Sequence, residues 1–165
     1  MLRIVALAFL AVCYPSQAQD DGMPFGPVSD GDVDRLGEFA KKSGFDLKPE
    51  MERVYNKDEE ALARLFKFSL AFNTLDANAR TYGQLLYTSL LNLGEAHGLD
   101  AYVKVLDRQS QEVQQRIRDF LYYPMLRVPK EQRKQAEEEN KRMYPSLFPK
   151  GFQFGHNDPV FMKES

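Results

Sequence analysis

Apolar positions in this chain change their rhythm twice. Between 50 and 123 there is no proline, and Leu, Phe and Tyr recur at three- and four-residue steps. That is the period of a helix burying one face. Before and after this stretch, proline, glycine and runs of charge break the rhythm. Leu62, Leu65, Phe66, Phe68, Leu70, Phe72 and Leu75 predict a helix over 57–75. Asn56 is placed as its N-cap, and Asp58, Glu59 and Glu60 complement its dipole. Asp76 is placed to cap a further helix reaching 97, with Tyr82, Leu85, Leu86, Leu90 and Leu93 as its apolar steps. No charged side chain occurs between Thr81 and Gly94. A helix apolar on most sides is buried, and this uncharged run is too short to span a bilayer, so it reads as the central core helix.

Shorter helices flank this centre. Ser29 or Asp30 is placed to cap one over 33–42, which Gly44 would end. Pro49 suits the first turn of another, up to about 55. Beyond Gly98, Asp100 is placed to cap a turn pair in which Leu99, Tyr102, Val103 and Leu106 are apolar. Ser110 then caps a helix with Val113, Ile117, Phe120 and Leu121 inward, and Pro124 stops it. Pro129 starts a last helix, up to about 143 and almost entirely polar. Pairs such as Arg133 with Glu137, Lys134 with Glu138 and Glu137 with Lys141 support it at i, i+4. No segment alternates with period two. The expectation is an all-α fold, a small bundle of about five to six helices.

Two helix pairs stand back to back, 57–75 with 76–97 and 99–106 with 110–123. The second has Leu106-Asp107 before Glu112-Val113-Gln114 and Phe120-Leu121. In that it resembles a HEAT-type unit, with Gln114 where a basic residue is usual. Two units make no free-standing solenoid, so a plain orthogonal or up-and-down bundle is the expected arrangement.

The N-terminus reads as a secretory signal peptide over 1–18. Arg3 is the positive region, an apolar run follows over 4–14, and Ser16-Gln17-Ala18 places cleavage after Ala18. The expected location is therefore periplasmic or secreted, with no stable membrane span once the signal is cleaved. Val12 before Cys13 is bulky for a lipoprotein signal. Cys13 is the chain's one cysteine, so the mature chain would hold no disulfide and would rest on a packed core. The expected organisation is a flexible lead-in over 19–34, rich in Gly, Pro and Asp, and then a helical domain over 35–143. Its core would lie over 56–123, and an irregular tail over 144–165 would pack on or near it.

Composition narrows the chemistry. With 22 Lys and Arg against 24 Asp and Glu, the net charge is -2, and no nucleic-acid partner is expected. Asp30, Asp32 and Asp34 alternate as calcium ligands would, but the EF-hand spacing of Gly and Glu fails. The chain has two histidines. His97 sits two residues from Glu95, and side chains at that spacing do not face each other on a helix. His156-Asn157-Asp158 lies in the tail. No Gly-x-Ser-x-Gly elbow, Gly-rich phosphate loop or Cys-x-x-Cys-His motif occurs. No metal and no cofactor are expected.

The reading is an exported, non-catalytic helical module that acts by contact with another protein. Its candidate contact residues are the tail aromatics Tyr144, Phe148, Phe152, Phe154 and Phe161, which would either anchor a partner or wrap back over the bundle. The charged run over 129–142 is a solvated face or a docking arm. Two alternatives are a small secreted hydrolase using Glu95 with a second carboxylate, and a carrier of an apolar ligand held between the third and fourth helices.

Overall fold

The structure, a computed structural model, describes residues 29–97, 99–122 and 130–152. Residues 1–18, where a signal peptide is expected, residues 19–28 of the expected lead-in, Phe154, Phe161 and His156 lie outside the described residues. The described chain is all-helical, with seven α-helices, one 3₁₀ turn and no strand among those residues.

Helix α1 (Asp30–Lys42) starts three residues before the expected position, because Ser29 and Asp32 form a capping box. The Asp32 amide donates to Ser29 Oγ (3.2 Å), and the Ser29 amide donates back to the Asp32 carboxylate (3.1 Å). The box satisfies two backbone donors that would otherwise be orphaned. It also shortens the loose lead-in expected over 19–34. Gly44, with φ 75°, ends the helix in a Schellman motif. There the Phe45 amide donates to Ala40 O and the Gly44 amide to Lys41 O.

Helix α2 (Leu47–Tyr55) and helix α3 (Glu59–Phe68) pack closely on each other. The expected helix over 57–75 is therefore cut at both ends. Asn56 closes α2, and Asp58 caps α3 by accepting from the amides of Glu60 (2.9 Å) and Ala61 (3.0 Å). At the other end the chain tightens into a 3₁₀ turn, Ser69–Ala71, and leaves it extended at Phe72. The cause comes from elsewhere in the chain. Arg116 donates to the carbonyls of Ser69 (3.2 Å) and Phe72 (2.9 Å), satisfying acceptors that a continuing helix would have used itself.

Helix α4 (Ala77–His97) is the centre of the bundle and packs against α1, α2, α5 (Leu99–Asp107) and α6 (Gln111–Tyr122). Asp76 caps it through the Ala79 amide at 2.9 Å. Its contact with α3 runs through the long Tyr82 side chain, whose hydroxyl donates to Leu65 O at 2.6 Å. At Gly83 an added Cβ would meet the Phe120 ring at 3.4 Å, so a missing side chain lets α4 and α6 approach there. Among the described residues, helix α7 (Lys130–Met143) shares no substantial packing with another helix. Its Glu137–Lys141 pair closes at 2.8 Å.

Buried aromatics tie the layers together. Tyr82 stacks on Phe72 (4.9 Å between centroids) and meets Phe120 edge-on (5.0 Å), and Phe66 meets Tyr102 edge-on (4.9 Å). Such pairs add about 0.5–1.5 kcal/mol each beyond their area. The core is wider than the expected 56–123. Leu36, Ala40, Leu47, Met51 and Val54 enter it from α1 and α2, and Leu147 and Phe148 from the chain after α7. The amphipathic faces of α1 and α2 have nowhere else to be buried.

Candidate functional site

The described tail aromatics, Tyr144, Phe148 and Phe152, pack against the body of the protein. Phe148 is 4% exposed and Leu147 2% exposed, while Tyr144 and Phe152 pack half-buried against the core. The rings of Phe148 and Phe152 lie 5.9 Å apart. Arg118 of α6 fastens this segment, although it is itself only 5% exposed. It donates to Leu147 O at 2.6 Å, to Gln114 Oε1 at 3.1 Å and to the Asp107 carboxylate at 2.9 Å. Its guanidinium also stands 5.9 Å from the centroid of the Phe152 ring. Over 144–152, then, the chain wraps back and covers the bundle.

Glu95 and His97 fall in the last turns of α4, and their side chains lie outside the described residues. Asp30 and Asp34 sit on the exposed first turns of α1, and the Asp32 carboxylate is held by Ser29 and Arg35 (2.6 Å). These bonds, the Ser29 hydroxyl first, hold Asp32 below the usual carboxylate range. No group of three or more His, Cys, Asp or Glu that could hold a metal occurs among the described residues. None of the described helices is long and apolar enough to cross a membrane.

What the structure does form is an open cleft of about 320 Å³ where α3, α4 and α5 meet. Leu62 of α3, Leu93 of α4, and Ala101 and Val105 of α5 make its floor. Lys57, Asp58 and Glu59, at the junction of α2 and α3, make its rim. The two acids are already engaged. Asp58 caps α3 and takes Arg53 at 2.6 Å, and Glu59 takes Arg108 at 3.0 Å. Asp58 is held below its ordinary range, first by the Ala61 amide and then by Arg53. Lys57 makes no ion pair among the described residues.

The backbone beneath Lys57 is unusual. Its φ is 69°, the one positive φ at a non-glycine among the described residues. The Lys57 amide donates to Val54 O and the Asp58 amide to Arg53 O, so α2 ends in the same Schellman motif as α1. Gly44 fills the left-handed position in α1 and Lys57 fills it in α2. A side chain there costs about 1–2 kcal/mol that glycine would not.

A second polar group is sealed in the core. Tyr82, Tyr102, Ser69 and Ser89 are all fully buried. The Tyr82 hydroxyl is bonded to Leu65 O, and the Ser89 hydroxyl donates to Leu86 O at 2.7 Å. Ser69 Oγ and the Tyr102 hydroxyl have no hydrogen-bond partner among the described residues. Burial raises both phenols well above the ordinary value, and neither has an opening to solvent.

Sequence reasoning missed the cleft. Asn56-Lys57-Asp58 reads as the start of a helix, whereas it is the end of one and the start of the next. The available signal was Asp58, as good a cap residue as Asn56 and followed by two Glu that suit the first turn of a helix. No protein-family model, curated protein or solved structure matches the chain.

Proposed function

We propose that the protein is an exported, non-catalytic helical module that works by contact with another protein, and that the α3–α4–α5 cleft is its contact site. The observation that carries this reading is the cleft's construction. An apolar floor lies under a rim whose acids are tied to arginines and whose lysine has no ion pair among the described residues. A volume of 320 Å³ is near the lower end for a small-molecule pocket, and suits one or two side chains of a partner. Export is supported by the Arg3, apolar-run and Ser16-Gln17-Ala18 pattern.

Photo-crosslinking from a benzophenone side chain placed at Ala101, in cells that express the protein, tests the contact. A discrete protein adduct from Ala101, missing when the probe sits at exposed Lys67, is the expected outcome. Identical adducts from both positions, or none from either, would overturn the reading.

A second reading is favoured by the cleft's position between the third and fourth helices. There it would hold an apolar ligand in transit. Native mass spectrometry of the protein as purified separates the two. A stoichiometric small-molecule mass shift supports the carrier, and its absence alongside the Ala101 adduct supports the contact module.

A further inference from the structure

We infer that the chain's own segment beyond Phe152 folds back and seats Phe161 in the α3–α4–α5 cleft, so that a partner has to displace it. This rests on the contact-module reading and adds the regulation of the same site. Phe152 is the last described residue, half-buried, with its ring 5.9 Å from the Arg118 guanidinium. Arg118 in turn donates to the Asp107 carboxylate at 2.9 Å, at the end of α5. Both neighbours of that position belong to the cleft's surroundings. Val105, two residues earlier on α5, lines the floor, and Arg108, the residue after Asp107, pairs with Glu59 of the rim at 3.0 Å. A line of contacts thus runs from the end of the described chain to the edge of the cleft.

Reach and composition select the occupant. Residues 153–165 contain one run of three apolar side chains, Val160-Phe161-Met162. Phe161 lies nine residues past Phe152, and an extended chain of that length covers about 30 Å. Gly155 and Pro159 fall in between and disfavour the helix that would shorten it to about 13 Å. Phe154 has a reach of only about 7 Å, too short for the path past Arg118 and Asp107. The floor of Leu62, Leu93 and Val105 is apolar, and about 320 Å³ admits a phenyl ring. Strength favours an occupant on the same chain. One buried ring supports a dissociation constant no tighter than about 1 mM, too weak to hold a separate ligand by that contact alone. A short tether keeps the ring at an effective concentration of about 1 mM or more, so the same contact is filled about half the time. A partner prevails by adding contacts around the rim.

The test is NMR of the full chain with labelled methyl groups, reading nuclear Overhauser contacts between phenylalanine rings and the methyls of Leu62, Leu93 and Val105. Contacts from the Phe161 ring are the expected result, identified by their loss in Phe161→Ser and their survival in Phe154→Ser. They should keep their relative intensity on dilution, as contacts within one chain must. Helical circular dichroism of Phe161→Ser should match the parent, which separates an emptied seat from lost folding. In cells, the partner adduct from the probe at Ala101 should rise about twofold in Phe161→Ser, because a site half filled by its own chain offers half its affinity.

Phe161 contacts that lie outside the cleft, or cleft contacts that Phe154→Ser removes, would overturn the inference. So would contacts that fade on dilution, the mark of a second copy, or a stoichiometric small molecule bound in the cleft. An Ala101 adduct indifferent to Phe161→Ser would overturn it as well. If the ring contacts are missing while the Ala101 adduct persists, the inference falls and the contact reading stands. If the ring contacts are present while neither form gives an Ala101 adduct, the contact reading falls and takes the regulation with it, and only the seat of Phe161 stands.

Discussion

At the scale of single residues, Lys57 and Tyr102 carry the clearest consequences. Lys57 holds a left-handed backbone at the end of α2, where Gly44 does the same for α1. Lys57→Gly should therefore stabilise the protein by about 1 kcal/mol, seen as a higher melting temperature. A lower one would mean that the Lys57 side chain packs more than its exposure suggests. Tyr102 buries a hydroxyl with no hydrogen-bond partner among the described residues. A sealed polar atom without a partner is costly, so removing it relieves more than it loses. Tyr102→Phe should leave stability unchanged or raise it by about 1 kcal/mol, measured by denaturant unfolding. Tyr82 is the contrast, because its hydroxyl is bonded to Leu65 O at 2.6 Å. Tyr82→Phe should destabilise by about 1 kcal/mol in the same assay.

At the scale of elements, the chain after α7 belongs to the fold over its described part. Phe148 is 4% exposed, and Arg118 holds the neighbouring Leu147 carbonyl. Phe148→Ala should cost about 3–5 kcal/mol, the range for emptying a buried aromatic site. A thermal melt of that variant, beside one truncated before Tyr144, checks the assignment. An unchanged melt in both would return this segment to the role of a free docking strip. The helix caps set a second element-scale expectation. Asp32 and Asp58 have carboxyls held below their ordinary value by backbone and side-chain hydrogen bonds. What they add is present above the ordinary carboxylate pKa near 4 and is lost as pH falls through the lowered one. Helical circular dichroism in acid should accordingly fade less in a Ser29→Ala variant, relative to its own neutral-pH signal, because that variant has already lost one cap.

At the scale of the whole molecule, the buried phenols set an alkaline limit. Burial raises Tyr82 and Tyr102 above their ordinary value, Tyr82 with help from Tyr102. The folded state thus keeps protons that the unfolded chain gives up near pH 10. By linkage the stability they add is fully present below about pH 10 and falls as pH rises toward the folded values. Absorbance of tyrosinate should show two tyrosines ionising only together with unfolding. Smooth titration of every tyrosine before the helical signal is lost would contradict the sealed core.

The sequence by itself determined the helical class, because the spacing of apolar residues over 50–123 admits no strand period. It also placed the caps of α4 and α6 at Asp76 and Ser110, since capping is a local hydrogen bond between residues a few positions apart. It read the Glu137–Lys141 pair for the same reason. It placed the end of the third helix wrongly, because the donor that bends the chain at Ser69 is Arg116, 47 residues away. It set the limits of the core too narrowly, because Leu36, Val54 and Phe148 are buried by neighbours distant in the chain. The cleft was illegible for that reason too. Leu62, Leu93 and Val105 are ordinary core positions on three separate helices, and only their packing angles leave a gap between them. Local bonding is written in short stretches of sequence, whereas the meeting of surfaces is decided only when the whole chain closes on itself.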